Sequence, residues 1–314
     1  MRDFSADHRW LSLNTATVRK QGDLLAIIEA CARHNIRAID PWRDQVSIVG
    51  VGRAAHAARD AGIALSGYCR GGMFTSDAAR RVEVRDDNRR AVDEAHALGA
   101  PCIVLVVGGL PQYSRPGSAP SKNIAGARAQ IEDAIAEMME YAKTARVPLA
   151  IEPLHPAYAA DRACVNTTRQ ALDICDRLDP GRTGVLGVAL DVYHIWWDPD
   201  VLSQMKRAGK DRLMAFHVCD WLVPTTDILN DRGMMATVSS TLGRCAARSN
   251  KRALTAIPRL RSSPIAGGRG RWTKCSRPAS SGIARWCNNR RAGRVANAER
   301  PGSAAGPCRF SFER

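Results

Sequence analysis

Acidic residues are nearly missing from the last quarter of this sequence. Residues 236–314 hold 17 Lys and Arg but only two acids, Glu299 and Glu313. Residues 1–235 hold 29 basic and 29 acidic residues, so the whole net charge of +15 sits in the last 79 positions. The body therefore carries no electrostatic signature of a nucleic-acid surface. Only the tail could bind phosphate backbones, and then without sequence preference. No uninterrupted apolar stretch is long enough to cross a bilayer. The opening MRDFSADHRWLSL has no basic stretch followed by an apolar run, so a secretory signal is not expected. None of the ten cysteines forms a Cys-x-x-Cys pair. Cys31, Cys69, Cys102, Cys164, Cys175 and Cys219 stand singly in helix-like or strand-like segments, which suits a reduced cytoplasmic protein better than a disulfide framework. No Gly-x-Gly-x-x-Gly follows the first apolar run, and Val-Gly-Gly at 107–109 is too short a signal for nucleotide binding.

What the body does have is alternation. Short apolar runs at 11–14, 36–40, 63–68, 102–107, 148–152, 185–191 and 213–218 read as strands. The run CIVLVV has no polar alternation, as a strand buried on both faces of a parallel sheet requires. Between the runs, DLLAIIEACARHN, ARRVEVRDDNRRAVDEAHALGA and AGARAQIEDAIAEMMEYAKTARV repeat apolar residues at three- and four-residue steps, which makes one helical face. Gly62 and Gly99 fall near helix ends, where a left-handed residue costs little. Seven β-α units leave two architectures, an open doubly wound sheet or an eight-stranded barrel.

The polar residues separate the two. Asn14, Trp42 and Arg43, Arg70, Glu152 with His155, Asp191 with His194, and His217 with Asp220 all cluster at the C-terminal ends of the runs. A barrel gathers every strand C-terminus into one mouth, whereas an open sheet uses one crevice. Glu152, Asp191 and His217 end the fifth, sixth and seventh runs. Two carboxylates and an imidazole suit Mn²⁺, Mg²⁺, Co²⁺ or Zn²⁺. An ion there can polarise a hydroxy-ketone and stabilise the enediolate formed when a neighbouring C–H proton leaves. Glu152 can also move that proton.

LSLNTAT, SGYCRGGMF, LVVGGLP, AIEPLHP, DVYHIWWDP, FHVCDW and NDRGMM together resemble the sugar phosphate isomerase/epimerase family with its xylose isomerase-like barrel, across residues 8–235. The resemblance implies an α/β fold, a (β/α)8 TIM barrel. It implies an ion held by Glu152, Asp191, His217 and a further glutamate on the eighth strand. It implies His194 as a catalytic partner of Glu152, and His155, Arg70, Trp197 and Arg232 as substrate-binding residues; Trp196 and Trp197 fit either the pocket or packing. The activity implied is isomerisation or epimerisation of a small keto-sugar, polyol ketone or sugar phosphate. An inosose-type dehydratase is the nearest alternative, and an abasic-site endonuclease or a nucleic-acid binder acting through the tail belong to other classes. The neutral body speaks against nucleic acid as a partner. A homo-oligomer is compatible with the sequence.

After Met235 the resemblance stops. The tail is rich in Arg, Ser, Ala, Gly and Pro, shows no sustained strand or helix pattern, and has a composition near disorder. Residues 1–235 are accordingly expected to form an incomplete barrel, with the eighth β-α unit lost or disordered, and 236–314 a basic tail foreign to the family. The genetic code offers a cause. Residues 236–242 can be encoded so that one restored G gives Gly-Asp-Gly-Val-Ile-Asp-Ile. Residues 257–264 can be encoded so that the same frame contains Ser-Glu-Val-Glu-Ile-Phe-Ser, its second Glu spanning the codons of Leu260 and Arg261. The chain reads as frameshifted after Met235 and, without the eighth-strand glutamate, as catalytically impaired.

Overall fold

A computed structural model describes residues 11–111, 121–233 and 260–262, with only the backbone described for residues 70 and 260–262. The strands are β1 (Leu11–Asn14), β2 (Ala38–Asp40), β3 (Ala64–Leu65), β4 (Tyr68–Gly72), β5 (Ile103–Val106), β6 (Leu149–Ile151), β7 (Leu186–Asp191), β8 (Leu213–Val218), β9 (Asp220–Trp221), β10 (Arg232–Gly233) and β11 (Leu260–Ser262). Nine of them form one sheet in the order β3-β2-β1-β11-β8-β7-β6-β5-β4, and β9 pairs antiparallel with β10. The pairs within the large sheet are all parallel. Between them run α1 (Leu24–Arg33), α2 (Arg43–Val49), α3 (Val51–Asp60), α4 (Arg81–Leu98), α5 (Ile124–Ala145), α6 (Thr168–Leu178), α7 (Val192–Ile195) and α8 (Val201–Arg212).

The two ends of the sheet are halves of one barrel strand. β3 pairs with β2 and β4 with β5, and only Ser66 and Gly67 separate them. The run read as 63–68 is thus broken in the middle and extended to Gly72. At the break the chain passes close to β2: a Cβ on Gly67 would stand 2.9 Å from the buried Asp40 carboxylate. A Trp42–Cys69 bridge and the bond from Cys69 N–H to Pro41 O carry β2 across to β4 and close the ring.

Eight barrel places follow, and all eight are filled. The eighth was expected to be empty or poorly filled. Instead β11 pairs with β1 through Leu11–Leu260, Ser12–Arg261 and Leu13–Ser262, and with β8 through His217–Arg261 and Val218–Ser262. The expectation of a lost eighth strand is corrected to that extent. Three backbone residues suffice because ladder bonds come from the peptide groups and do not need an apolar run. The rest of the tail, with its expected disorder, lies outside the described residues.

The helices were legible. α1 and α4 fall within the segments predicted from periodicity, α5 begins one residue ahead of its segment, and Gly62 and Gly99 are left-handed, at φ 62° and 69°. Asp23 and Asn123 cap α1 and α5 by accepting from Ala26 N–H and Gly126 N–H, and Thr167 with Gln170 forms a capping box on α6. One apolar core lies between strands and helices, including Ile27, Ile103, Leu105, Ile131, Leu190 and Phe216. The barrel interior is a separate cluster of small side chains: Cys69, Cys102, Val104, Ala150, Ala189 and Ala215. The six cysteines named above are all buried. Among the described residues no helix is long and apolar enough to cross a membrane.

Candidate metal centre

Each of three parallel strands delivers one donor to the same point. Glu152 follows β6, Asp191 ends β7 and His217 stands one residue before the end of β8. One donor atom from each lies within 4.8 Å of the others, and all three side chains are buried. The neighbouring strands are in register, with Asp191 opposite His217, so the separation is fixed by the ladder and not by loop conformation. His217 Nδ1 lies 3.0 Å from Glu152 Oε1. Two carboxylates and an imidazole converging in a buried place are a donor set that a divalent ion fits.

Asp191 is anchored on both oxygens. Oδ1 accepts from Tyr193 N–H at 2.9 Å, and Oδ2 accepts from Arg232 Nη1 at 2.8 Å. Burial pushes the Asp191 carboxyl up, but Arg232, His194, His217 and the Tyr193 N–H together outweigh it and leave the pKa below the ordinary value. Arg232, only 8% exposed, keeps its charge for the reciprocal reason: burial opposes the cation, and Asp191 beside it prevails. Its guanidinium also lies 4.1 Å from the Tyr193 ring centroid.

His194 is held between two donors. The His155 backbone N–H is 3.3 Å from Nδ1 and Arg232 Nη2 is 3.2 Å from Nε2. A neutral imidazole has one acceptor nitrogen, so it satisfies one of them; an imidazolium would satisfy neither. Burial, the largest cause, accordingly pushes its pKa down to about 3. His194 stands here as an uncharged acceptor.

Beneath the barrel mouth these groups enclose a cavity of about 40 Å³, lined by Asn14, Trp42, Tyr158, Arg162 and Leu229 as well as Glu152, Asp191, His194, His217 and Arg232. That is room for an ion and a water or two. The segment 222–231 lies over it, fastened by the bond from Tyr193 OH to Ile228 O at 2.8 Å. Trp221 stacks on Tyr193 and on His155, at 4.6 and 4.8 Å between centroids.

Of the residues read as substrate-binding, Arg232 lines the cavity, and His155 and Trp197 do not. His155 is half-buried behind the cavity, its Nδ1 accepting from Ala157 N–H while its ring stacks on Trp221. Trp197 donates from Nε1 to His194 O at 2.8 Å and does not line the cavity. Trp196 packs at a tilt on Trp221. The Arg70 side chain lies outside the described residues. Tyr158 and Arg162, which do line the cavity, were missed. They stand in the loop after β6, and no spacing in the sequence ties that loop to the mouth.

The xylose isomerase-like TIM barrel family matches residues 25–239. The chain belongs to this family. The match ends four positions past Met235, where the composition changes. Among solved structures, protein SMc04130 of Sinorhizobium meliloti 1021 is 48% identical, over 91% of this chain and 98% of that one, with a TM-score of 0.76. A 3-keto-D-glucoside 4-epimerase from E. coli is 14% identical over 89% of this chain and 98% of that one, with a TM-score of 0.65. An IOLI protein with a bound zinc atom is 17% identical over 89% and 95%, with a TM-score of 0.64. At those two lower identities the likeness is one of fold. No curated protein matches.

Proposed function

We propose that this xylose isomerase-like chain is built as a divalent-metal-dependent isomerase or epimerase of a small keto-sugar, polyol ketone or sugar phosphate. The observation that carries the reading is the convergence of Glu152, Asp191 and His217 within 4.8 Å at three adjacent strand ends. These three would hold the ion, which when bound supplies Lewis-acid polarisation of a ketone. The fold likeness to a sugar epimerase agrees with it.

The remaining chemistry belongs to the chain's own groups. Glu152 removes the proton from the carbon beside the ketone, leaving an enediolate. Arg232 donates to a substrate oxygen, and neutral His194, 3.2 Å from Arg232 Nη2, positions that guanidinium. At about 40 Å³ the cavity is smaller than a sugar, so the side chains that line it must part for one to enter.

Proton return on the opposite face needs a second carboxylate, which the family resemblance places on the eighth strand. There the chain has Leu260, Arg261 and Ser262, with Arg261 in register with His217. These are the residues whose codons can be read in the other frame as Val-Glu-Ile, the glutamate falling chiefly on Arg261. That coincidence supports the frameshift reading and points to an impaired enzyme. A single base that removes and returns a proton on one face exchanges it with solvent without inverting the carbon.

The test is metal analysis of the chain followed by NMR of a ketose panel in D₂O with Mn²⁺ or Mg²⁺. About one divalent ion per chain, with deuterium entering beside the ketone faster than any epimer accumulates, is the expected result. Absence of both ion binding and exchange would overturn the reading.

A further inference from the structure

We infer that the site is built for a sugar carrying an anionic group, a carboxylate or a phosphate, read by Arg162 together with the Tyr158 hydroxyl. The inference rests on the sugar reading above and narrows its substrate class.

The charges lining the cavity are answered within it, with one exception. Glu152 faces His217 at 3.0 Å, and Asp191 faces Arg232 at 2.8 Å. Arg162 also lines the cavity. Its one ion pair among the described residues is a 3.8 Å contact with Asp161, whose side chain is 63% exposed. A pair so long and so wet contributes little. The guanidinium lies instead 5.4 Å from the Tyr158 ring centroid.

Tyr158 supplies the second, independent observation. Its side chain lines the cavity and the residue is only 4% exposed, yet its hydroxyl has no hydrogen-bond partner among the described residues. A buried hydroxyl left unpaired costs free energy comparable to a lost hydrogen bond. Burial pushes its pKa up, and the cations that pull against burial are Arg232 and Arg162. A donor hydroxyl in a cavity lined also by two guanidinium groups accommodates an acceptor, and best an anionic one. A neutral hydroxyl would satisfy Tyr158 but leave Arg162, whose side chain is 30% exposed, with no close counter-charge.

The loop that carries the pair is pinned in place. Leu110 N–H donates to Ala160 O at 2.7 Å, Cys164 N–H donates to Gly108 O at 2.9 Å, and Arg128 Nε donates to Cys164 O at 2.8 Å. A Cβ on Gly109 would stand 2.4 Å from Ala160 O. Glycine at 109 therefore lets the loop lie close enough to bring Tyr158 and Arg162 to the cavity.

The experiment is calorimetric titration of the full chain, with Mn²⁺ present, using D-fructose, D-fructose 6-phosphate and D-fructuronate. At least one of the two anionic ligands is expected to bind roughly tenfold or more tightly than fructose. The arm that shows the gain identifies phosphate or carboxylate as the group read. Arg162→Gln should abolish the gain, the anionic ligand losing far more affinity than fructose does, and Tyr158→Phe should reduce the gain without abolishing it. Near-ultraviolet circular dichroism of both variants, unchanged from the parent, excludes misfolding as the cause. Equal affinity for all three ligands, or an Arg162→Gln effect equal on all three, overturns the anion inference while leaving the sugar reading standing. Failure of all three to bind overturns both.

Discussion

Arg232 Nη1 lies 2.8 Å from Asp191 Oδ2, so a cation of the protein's own stands against one carboxylate of the candidate metal centre. A divalent ion held there meets a like charge at close range in a buried setting, where screening is weak. Arg232→Gln should therefore bind Mn²⁺ several-fold more tightly than the parent, while its proton-exchange rate on a ketose falls by roughly tenfold or more. Weaker Mn²⁺ binding in this variant, measured by calorimetry, would mean that Arg232 positions Asp191 more than it repels the ion.

The triad itself makes a sharper prediction. Asp191→Asn keeps the shape and the Tyr193 N–H bond but removes the charge, and Glu152→Gln does the same one strand away. Each should weaken Mn²⁺ binding by roughly tenfold to a hundredfold, a cost as large as that of disturbing groups around a metal site. Parent-like affinity in both variants would place the ion elsewhere.

Stability has its own buried pair. Arg212 is wholly buried and donates to Asp179 Oδ2 at 2.6 Å and to Leu186 O at 2.9 Å. Arg212→Met strands Asp179 and should cost about 3–5 kcal/mol in urea unfolding. The acid side follows with a definite sign. Burial pushes Asp179 up, but bonds from Thr183 and Arg212 outweigh it, so the folded-state pKa lies below the ordinary value of 3.8. The stabilisation is present above that ordinary value and is lost as the pH falls through the folded one. Arg212→Met should lose this part of the acid dependence; an unchanged acid limb would assign it to other carboxylates.

The last prediction compares this chain with a version carrying one restored G after the Met235 codon. The restored protein regains a second proton-transfer group, and loss of such a group typically costs about 10²–10⁴ in rate. Net epimerisation should rise by that order, while metal binding changes far less. Equal turnover and equal melting temperature would show that the tail works as it stands and that the frame argument fails.

The strands that could be read were those whose apolar runs are buried on both faces. Leu11–Asn14 and Leu213–Val218 match the sequence reading residue for residue. The third strand could not be read, because at its break Gly67 passes close to the Asp40 carboxylate, a contact between residues far apart in sequence. The eighth could not be read, because Leu-Arg-Ser has no pattern and is recruited by the free edges of β1 and β8. At the site, Glu152, Asp191 and His217 were legible because strand ends converge wherever a barrel forms. Whether Trp197 and His155 line the cavity could not be read, because periodicity does not say which side of a one-turn helix or loop meets it. Tyr158 and Arg162 stayed hidden because contacts of their loop with Gly108 and Gly109 set its course.

The position of β11 in the chain also sets an order of events during synthesis. The first and seventh barrel strands, β1 and β8, share their partner edge with Leu260–Ser262, roughly forty residues beyond Val218. A ribosome adding about 5–20 residues per second takes roughly 2–8 s to cross that interval. Throughout it the growing chain holds a seam with two bare parallel edges, open to chaperones and to other nascent chains. The newborn barrel is thus a clasp that stays unfastened until Leu260–Ser262 has been made.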